Sequence, residues 1–599
     1  MSPPIRALRR YGWGPTAVCA GLAAALGLVQ AVAAALRYSM NPDGISYIEL
    51  GQAWWRGDWQ AALNAYWSPL YSWLLGLALQ VAEPSPRWEF PLVHTVNFLI
   101  YLAALTSFAF LWREVVRRRL GDLTAETGGS FPFWTWTVLG YALFTWASFN
   151  LIEIWSVNPD MLASAFVYLA AGLLLRADRP GGPDRGRRRI FALLGLVLGL
   201  GYLTKAALFP VALVFLAVGL AATRDLRGTA LSVLVFLLVA SPLVVALSWQ
   251  EGRPTFSASG KLNYAWYVNG VPQLHWRGEV PGSGTPLHPT RRLSEEPPIY
   301  EFAVPVPGTY PPWYDPAYWY AGVRPHFDLR EQLGALWRSA WTYSGWLLRS
   351  LGGLTALLLL LLGMNARPLD GLRELTAWWI LLVPAVSGLV MYAVVYVEGR
   401  YVGGFLVLLL AGLLAGIRLP DRPQSRRLAT VAGLVMSFAL LADIGAYGLR
   451  NAAAFLGIEP TGNPAATGQL AAGGGAGPPW EVARELRRMG VPEGTRVGYL
   501  GRAVDDLGWA RLARVRIVTE THEWPTLAFW SDPEAEGTAI QGLLAAGAEA
   551  IVAADVPPDA VHDWRRIGDT SHFLLTATGA GGPGRRKSPR AAEAAQRPS

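Results

Sequence analysis

Four ionisable residues sit at the edges of strongly apolar stretches, where a charge needs a physical reason to be. Lys205 lies in GLGYLTKAALFPVAL, apolar on both sides. Asp43 lies in RYSMNPDGISYIEL, Asp160 in EIWSVNPDMLASAF and Arg400 in VYVEGRYVGGF. Lys205 reads either as a lysine snorkelling from an ordinary span end or as an ammonium held for an anion, with phosphate a natural candidate for its point charge and three donors. Asp43 lies within a turn-like NPDG and either caps the next helix or acts as a general base at the mouth of a cavity. Asp160 repeats the NPD tripeptide, by coincidence, by helix capping or for function, and Glu153 one turn away reads as structural. Arg400 either pairs with Glu398 or offers a bidentate fork to a phosphate.

The elements that must position these residues follow from the hydropathy. Of 599 residues, 52% are hydrophobic and only 16% charged, against about 25% charged in soluble domains. Runs of roughly 20 uncharged apolar residues span a hydrocarbon core. Eleven such stretches are predicted, at about 14–36, 89–112, 131–152, 159–175, 190–204, 206–222, 229–248, 341–364, 375–397, 402–417 and 428–447. The first follows Arg6, Arg9 and Arg10, and is too long for a usual signal-peptide core; it reads as an uncleaved span. With a cytoplasmic N-terminus, the expected cytoplasmic segments hold 21 Arg and no Lys, whereas the short outer turns at 153–158 and 398–401 hold one Arg between them. That bias satisfies the positive-inside rule and puts all four ionisable residues on the outer side.

The predicted fold is therefore a polytopic α-helical membrane protein with a soluble C-terminal α/β domain. Residues 1–450 form the membrane domain, with long outer segments at 37–88 and 249–340. Within the first, SPLYSWLLGLALQVA is short for a span and reads as interfacial or re-entrant, and ISYIELGQAWW as an amphipathic helix along the membrane surface. The second is dense in Trp and Tyr between Tyr264 and Tyr320, residues that stack on sugars or populate the membrane interface. Residues 451–479 are an Ala/Gly/Pro-rich linker. From 480 to 578, TRVGYLG, RVRIVTE and AEAIVAA are strand-like, while WEVARELRRMG and EGTAIQGLLAAGA are helix-like. Residues 579–599 form a tail expected to be disordered.

The formal charge of +8 is no nucleic-acid signature, because the arginines cluster between apolar runs. Cys19 is the only cysteine, which excludes disulfides within the chain. No group of Cys or His has metal-ligand spacing, so no metal site is expected.

In their order, DGISY at Asp43 to Tyr47, NPD at Asp160, LTKA at Lys205 and EGRYV at Arg400 and Tyr401 resemble the GT-C glycosyltransferases, specifically the protein O-mannosyltransferase and lipid A aminoarabinose transferase group. YWSPLYSWLLGLAL is similar to that family's juxtamembrane helix. The resemblance covers roughly residues 14–417. It departs where the family often has Asp-Glu, since Gly44 follows Asp43 here.

The resemblance implies an inverting transferase that moves a sugar from a polyprenyl-phosphate donor to an acceptor hydroxyl on the outer face of the membrane. Lys205 and Arg400 would hold the donor phosphate, Asp43 would accept the acceptor's proton, and Asp160 would position the acceptor or support Asp43. Tyr47, Glu153, Glu398 and Tyr401 are supporting candidates. The implied scheme needs no cofactor and no metal, and it is compatible with a divalent ion. The partners are membrane lipid, a lipid-linked sugar donor and a protein, lipid or glycan acceptor, without nucleic acid. The expected location is the plasma (inner) membrane of a bacterium. A transporter or flippase would also place cations at membrane depth, and a scaffold would present the C-terminal domain. A transporter usually leaves matched repeats, and none is visible.

Overall fold

The computed structural model describes residues 13–125, 133–179, 184–302, 305–363, 375–416, 423–455, 478–558, 560 and 562–576. The N-terminal arginines, most of the expected linker and all of the expected tail lie outside the described residues.

The apolar stretches become helices because a spanning segment must satisfy its own backbone donors and acceptors. In chain order these are α1 (Trp13–Leu36), α2 (Pro42–Trp55), α3 (Pro69–Ala82), α4 (Pro86–Ala125), α5 (Phe133–Asn150), α6 (Asp160–Ala177), α7 (Asp184–Thr204), α8 (Leu208–Thr223), α9 (Leu226–Gln250), α10 (Leu329–Gly345), α11 (Gly352–Gly363), α12 (Trp379–Ala393), α13 (Gly399–Gly416) and α14 (Pro423–Phe455). Each expected span falls on one of them, or on the pair α10 and α11, which a π-helical turn at Trp346–Ser350 separates. Among the described residues, five stretches are long and apolar enough to cross a membrane by length and composition: Gly14–Leu36, Pro86–Arg119, Asp160–Ala177, Leu226–Gln250 and Gly399–Gly416. Leu208–Thr223, Trp379–Ala393 and Arg427–Ala442 are apolar but shorter, as is Pro69–Ala82. The chain is a multi-pass helical membrane protein.

The bundle has a centre and a periphery. Helix α6 packs against α4, α7 and α13 and is mostly buried, whereas only about a quarter of α1 and α9 is buried. Exposed Val29, Leu234, Leu238 and Trp249 have the character of side chains that face lipid. Small residues bring the central helices close, as in other helical membrane proteins. A Cβ on Gly404 of α13 would stand 2.7 Å from Ser164 Oγ of α6, and one on Gly403 2.7 Å from Ile152.

Helix α2 corrects one expectation. It is not an amphipathic helix with one exposed face; most of its residues, from Gly44 to Ala53, are buried. Its backbone crosses α3 so closely that a Cβ on Gly51 would be 2.2 Å from the Ser72 carbonyl oxygen.

The C-terminal residues form helices α15 (Pro479–Arg488), α16 (Gly508–Ala513) and α17 (Pro533–Ala545) around one sheet. Strands β1 (Arg291–Ser294) and β2 (Ile299–Glu301) come from the second long segment; β3 (Arg496–Leu500), β4 (Arg516–Glu520), β5 (Ala550–Ala554), β6 (Arg565–Arg566) and β7 (His572–Thr576) come from the C-terminal region. Their order is β1-β2-β4-β3-β5-β7-β6. The central β4-β3-β5 trio is parallel, and its apolar runs are covered on both faces, as parallel strands require. The sequence reading missed β1 and β2; they seat the 249–340 segment on the C-terminal sheet through antiparallel β2–β4 pairing.

A second tie joins the sheet region to the helices. Arg511 of α16 donates from Nε to Glu89 of α4 at 2.8 Å, and from Nη2 to Gln52 of α2 at 2.8 Å. Its Nη1 lies 3.4 Å from Glu49 of α2. Glu49 in turn accepts from the Thr309 N–H at 3.0 Å, so α2 is held by both long-range partners.

Candidate active site

The two NPD turns meet. The side chain of Asn41 accepts from the Val157 N–H at 3.0 Å, and a Cβ on Gly44 would come within 2.7 Å of Val157. Glycine at 44 therefore lets the first turn of α2 lie against the turn that starts α6. Asp43 does not cap α2: its carboxylate reaches away from the helix to other chain segments. Oδ2 accepts from Arg400 Nη1 at 2.9 Å and Oδ1 from the Trp313 indole at 3.0 Å. Trp313 is itself placed by its backbone carbonyl, which accepts from Ser46 Oγ at 3.0 Å, one turn along α2.

Arg400, at the start of α13, makes the pairing with Glu398 offered for it and adds a second carboxylate, Asp43. Besides Asp43 it holds Glu398 through Nε at 2.9 Å. Its neighbour Tyr401 lies between the two cations: the Arg400 guanidinium carbon is 5.1 Å from the ring centroid and Lys205 Nζ is 3.6 Å from it. An ammonium this close to an aromatic face is attracted by the ring quadrupole.

Lys205 occupies the break between α7 and α8, where the chain leaves one helix at Thr204 and enters the next at Leu208. It does not snorkel outward. Its ammonium pairs with Asp160 Oδ1 on the first residue of α6. Asp160 is buried, its backbone N–H donates to Asn158 Oδ1 at 3.0 Å, and its Oδ2 has no hydrogen-bond partner among the described residues. An orphaned carboxylate oxygen at this depth is an acceptor aimed at something.

Asp160, Lys205, Tyr392, Arg400 and Tyr401 line one cavity. The arrangement gathers two cations, one carboxylate and aromatic faces around a concave site, the combination expected of a binding or catalytic centre, and Asp43 joins it through Arg400 rather than by lining the cavity. Chemically it can bind an anion through Lys205 and Arg400 and take a proton at Asp43.

The supporting candidates divide. Tyr401 belongs to the cavity wall and Glu398 holds Arg400. Glu153 stands beside this group in a left-handed backbone conformation, φ 56°. Burial and the nearby Glu398 push its carboxyl up to about 7, with Arg400 acting against them. Tyr47 is core: it is buried with its ring edge-on to Trp67 and Tyr71 at 5.0 and 5.1 Å. The outer aromatics are corrected too. Trp266, Trp276, Tyr310, Tyr314, Trp319 and Tyr320 are buried, packed among themselves and against the 37–88 segment and the C-terminal sheet, available neither to a sugar nor to lipid headgroups. Trp313 is the exception that sequence reasoning did not single out. Only its place in an aromatic-rich stretch marked it, since its partner Asp43 is 270 residues away.

No family model and no curated protein matches the chain. Among solved structures, ArnT from Cupriavidus metallidurans bound to undecaprenyl phosphate is similar at 14% identity and a TM-score of 0.49, covering 94% of this chain and 98% of that one. The apo state of the same protein gives 14% identity and a TM-score of 0.48 over 93% and 97%. AglB, an oligosaccharyltransferase from Archaeoglobus fulgidus in complex with an inhibitory peptide and a dolichol-phosphate, gives 12% identity and a TM-score of 0.45 over 91% and 70%.

Proposed function

We propose that this chain is an inverting glycosyltransferase, which takes a sugar from a polyprenyl-phosphate donor and places it on an acceptor hydroxyl at the outer face of the plasma membrane. The N-terminus is then cytoplasmic and the C-terminal domain lies outside. The observation that carries the reading is Arg400, which bonds to Asp43 and lines the same cavity as Lys205 and Asp160.

The chemistry follows from those contacts. The donor's lipid tail stays among apolar helices, and its phosphate enters the cavity toward Lys205 and Arg400. The acceptor oxygen attacks the anomeric carbon as the bond from that carbon to the phosphate oxygen breaks, which inverts the centre. The acceptor proton passes to Asp43. Negative charge grows on the departing phosphate, where the two cations stabilise it. As Arg400 turns its charge toward that phosphate, Asp43 loses part of its counter-charge and becomes a better proton acceptor. Asp160 holds Lys205 in place, and its second oxygen is free to position the acceptor.

The test uses undecaprenyl phosphate as probe, with native mass spectrometry of the detergent-solubilised protein. Wild type is expected to retain the lipid, and Lys205→Ala and Arg400→Ala to lose it. Asp43→Asn should keep the lipid while abolishing sugar transfer in membranes. Equal retention by all the variants would defeat the assignment of the cations.

A further inference from the structure

The C-terminal sheet meets the 249–340 segment at a second group of ionisable side chains, remote in sequence and unused by the scheme above. Glu520 ends β4, and His522 follows two residues on in the sequence Glu-Thr-His. His275 comes from the segment, 245 residues away. Glu520 Oε1 lies 2.6 Å from His275 Nε2 and 3.5 Å from His522 Nδ1. The three candidate ligand atoms all fall within 4.8 Å of one another.

We propose that His275, Glu520 and His522 form a binding site for a divalent transition metal of the zinc class, which clamps the 249–340 segment to the C-terminal sheet. Two imidazoles and one carboxylate are a donor set such ions accept, with a fourth position left for water. The separations, from 2.6 Å up to at most 4.8 Å, bracket the roughly 3.4 Å between ligands on a tetrahedral zinc. Opening the His275–Glu520 hydrogen bond by less than an ångström brings that pair to the tetrahedral spacing, which Glu520 and His522 already meet at 3.5 Å.

The surroundings are those of a ligand set. His275 Nδ1 lies 3.2 Å from Thr290 Oγ1. An Nδ1–H donated there leaves the Nε2 lone pair facing inward, the outer-shell bond that ligating histidines usually make. Glu520 is fixed from behind, since Oε2 accepts from the Ala503 N–H at 2.6 Å and Oε1 from the Tyr310 hydroxyl at 2.5 Å. His522 Nδ1 is buried and makes no well-formed hydrogen bond among the described residues. Both histidines sit in the left-handed backbone region, at φ 57° and 59°, which aims their rings at one point. That conformation costs energy for any residue with a side chain and persists where the surroundings enforce it. The two rings meet edge to face at 4.7 Å. The His522 side chain is 28% exposed and gives the ion an entry path, whereas Glu520 and His275 are sealed inside.

The plainer role is a hydrogen-bonded His–Glu contact that joins the two segments without an ion, and Arg502, whose charge reaches this group, favours it. One experiment separates the two. The full-length, tag-free protein in detergent is stripped with chelator and titrated with zinc chloride, following stoichiometry and thermal stability. The wild type should take up one zinc per chain and melt at a higher temperature when loaded, as binding to the native state alone requires. His522→Gln, a partly exposed change that spares the packing, should abolish both effects. Cobalt(II) in place of zinc should give the wild type the visible absorption of a four-coordinate ion, a readout independent of any variant's folding. A wild type that binds no zinc, or a His522→Gln protein that binds it equally well, overturns the proposal. None of these readouts depends on sugar transfer.

Discussion

Arg400 donates to Asp43 at 2.9 Å, joining the start of α13 to the first turn of α2 across 357 residues of sequence. The pair binds the candidate base to the candidate phosphate ligand, so perturbing either should be felt at the other.

The first prediction concerns Trp313. Its indole donates to Asp43 without lining the cavity, which makes it a positioning residue. Trp313→Phe keeps the ring and removes one hydrogen bond. Sugar transfer should fall about tenfold in kcat, the worth of one bond to a charged group, with the KM for donor little changed.

The Lys205–Asp160 pair should matter to stability as well as to binding. Its carboxylate is buried and the ammonium sits over Tyr401. Asp160→Asn leaves that ammonium without its counter-charge, and breaking such a pair from one side costs about 3–5 kcal/mol. The double variant Lys205→Met/Asp160→Asn should recover part of the loss. Thermal unfolding in detergent, run as a double-mutant cycle, reads this directly; strictly additive losses would mean the pair contributes nothing.

Arg511 should govern how the C-terminal region sits on the helices. Its guanidinium is nearly enclosed between Glu49, Glu89 and Gln52. Arg511→Met leaves two carboxylates facing each other without a cation, at a cost of about 3–5 kcal/mol. Limited proteolysis should then cut near residues 478–495 in the variant well before the wild type. Unaltered protection would show that β2–β4 pairing alone holds the interface.

Gly51 tests the crossing of α2 and α3. Its added Cβ would meet backbone, the Ser72 carbonyl at 2.2 Å, rather than a side chain that can swing away. Gly51→Val should cost about 3 kcal/mol, at the upper end for overpacking, and lower transfer activity by displacing the first turn of α2. A variant with wild-type thermal stability would contradict the crossing.

Glu153 predicts a pH dependence. Its folded carboxyl titrates near 7, raised from an ordinary 4.5 chiefly by burial and then by Glu398. A raised acid binds its proton more tightly in the folded state. Its favourable contribution is thus complete below about pH 4.5 and lost as pH rises through 7. Glu153→Gln should match the wild type at pH 4 and be more thermostable at pH 8. Equal melting curves at pH 8 would argue against the coupling.

Much of the architecture was legible in the chain. Apolar runs became helices because lipid leaves backbone groups no other partners, and the glycine-bounded runs after Trp480 became the strands and helices they suggested. The short polar motifs also stood out, since a charge next to an apolar run is conspicuous. The readings of single side chains fared less evenly. ISYIELGQAWW looked half-apolar, yet it is buried because α3 and the Trp313 segment cover its polar side. The outer tryptophans and tyrosines read equally as a sugar-stacking surface or as membrane-interface anchors, and most of them are buried against one another, the 37–88 segment and the C-terminal sheet.

The order of hydropathy and charge along the chain determined the membrane class, the helices and the four ionisable residues, because those follow from local composition and the cost of burying charge. Which carboxylate faces which cation was decided only by the tertiary structure. Asp43 meets Arg400 rather than Lys205, β1 and β2 join a distant sheet, and His275 reaches Glu520, because helix crossings at glycines and strand pairing set distances that no spacing along the chain encodes.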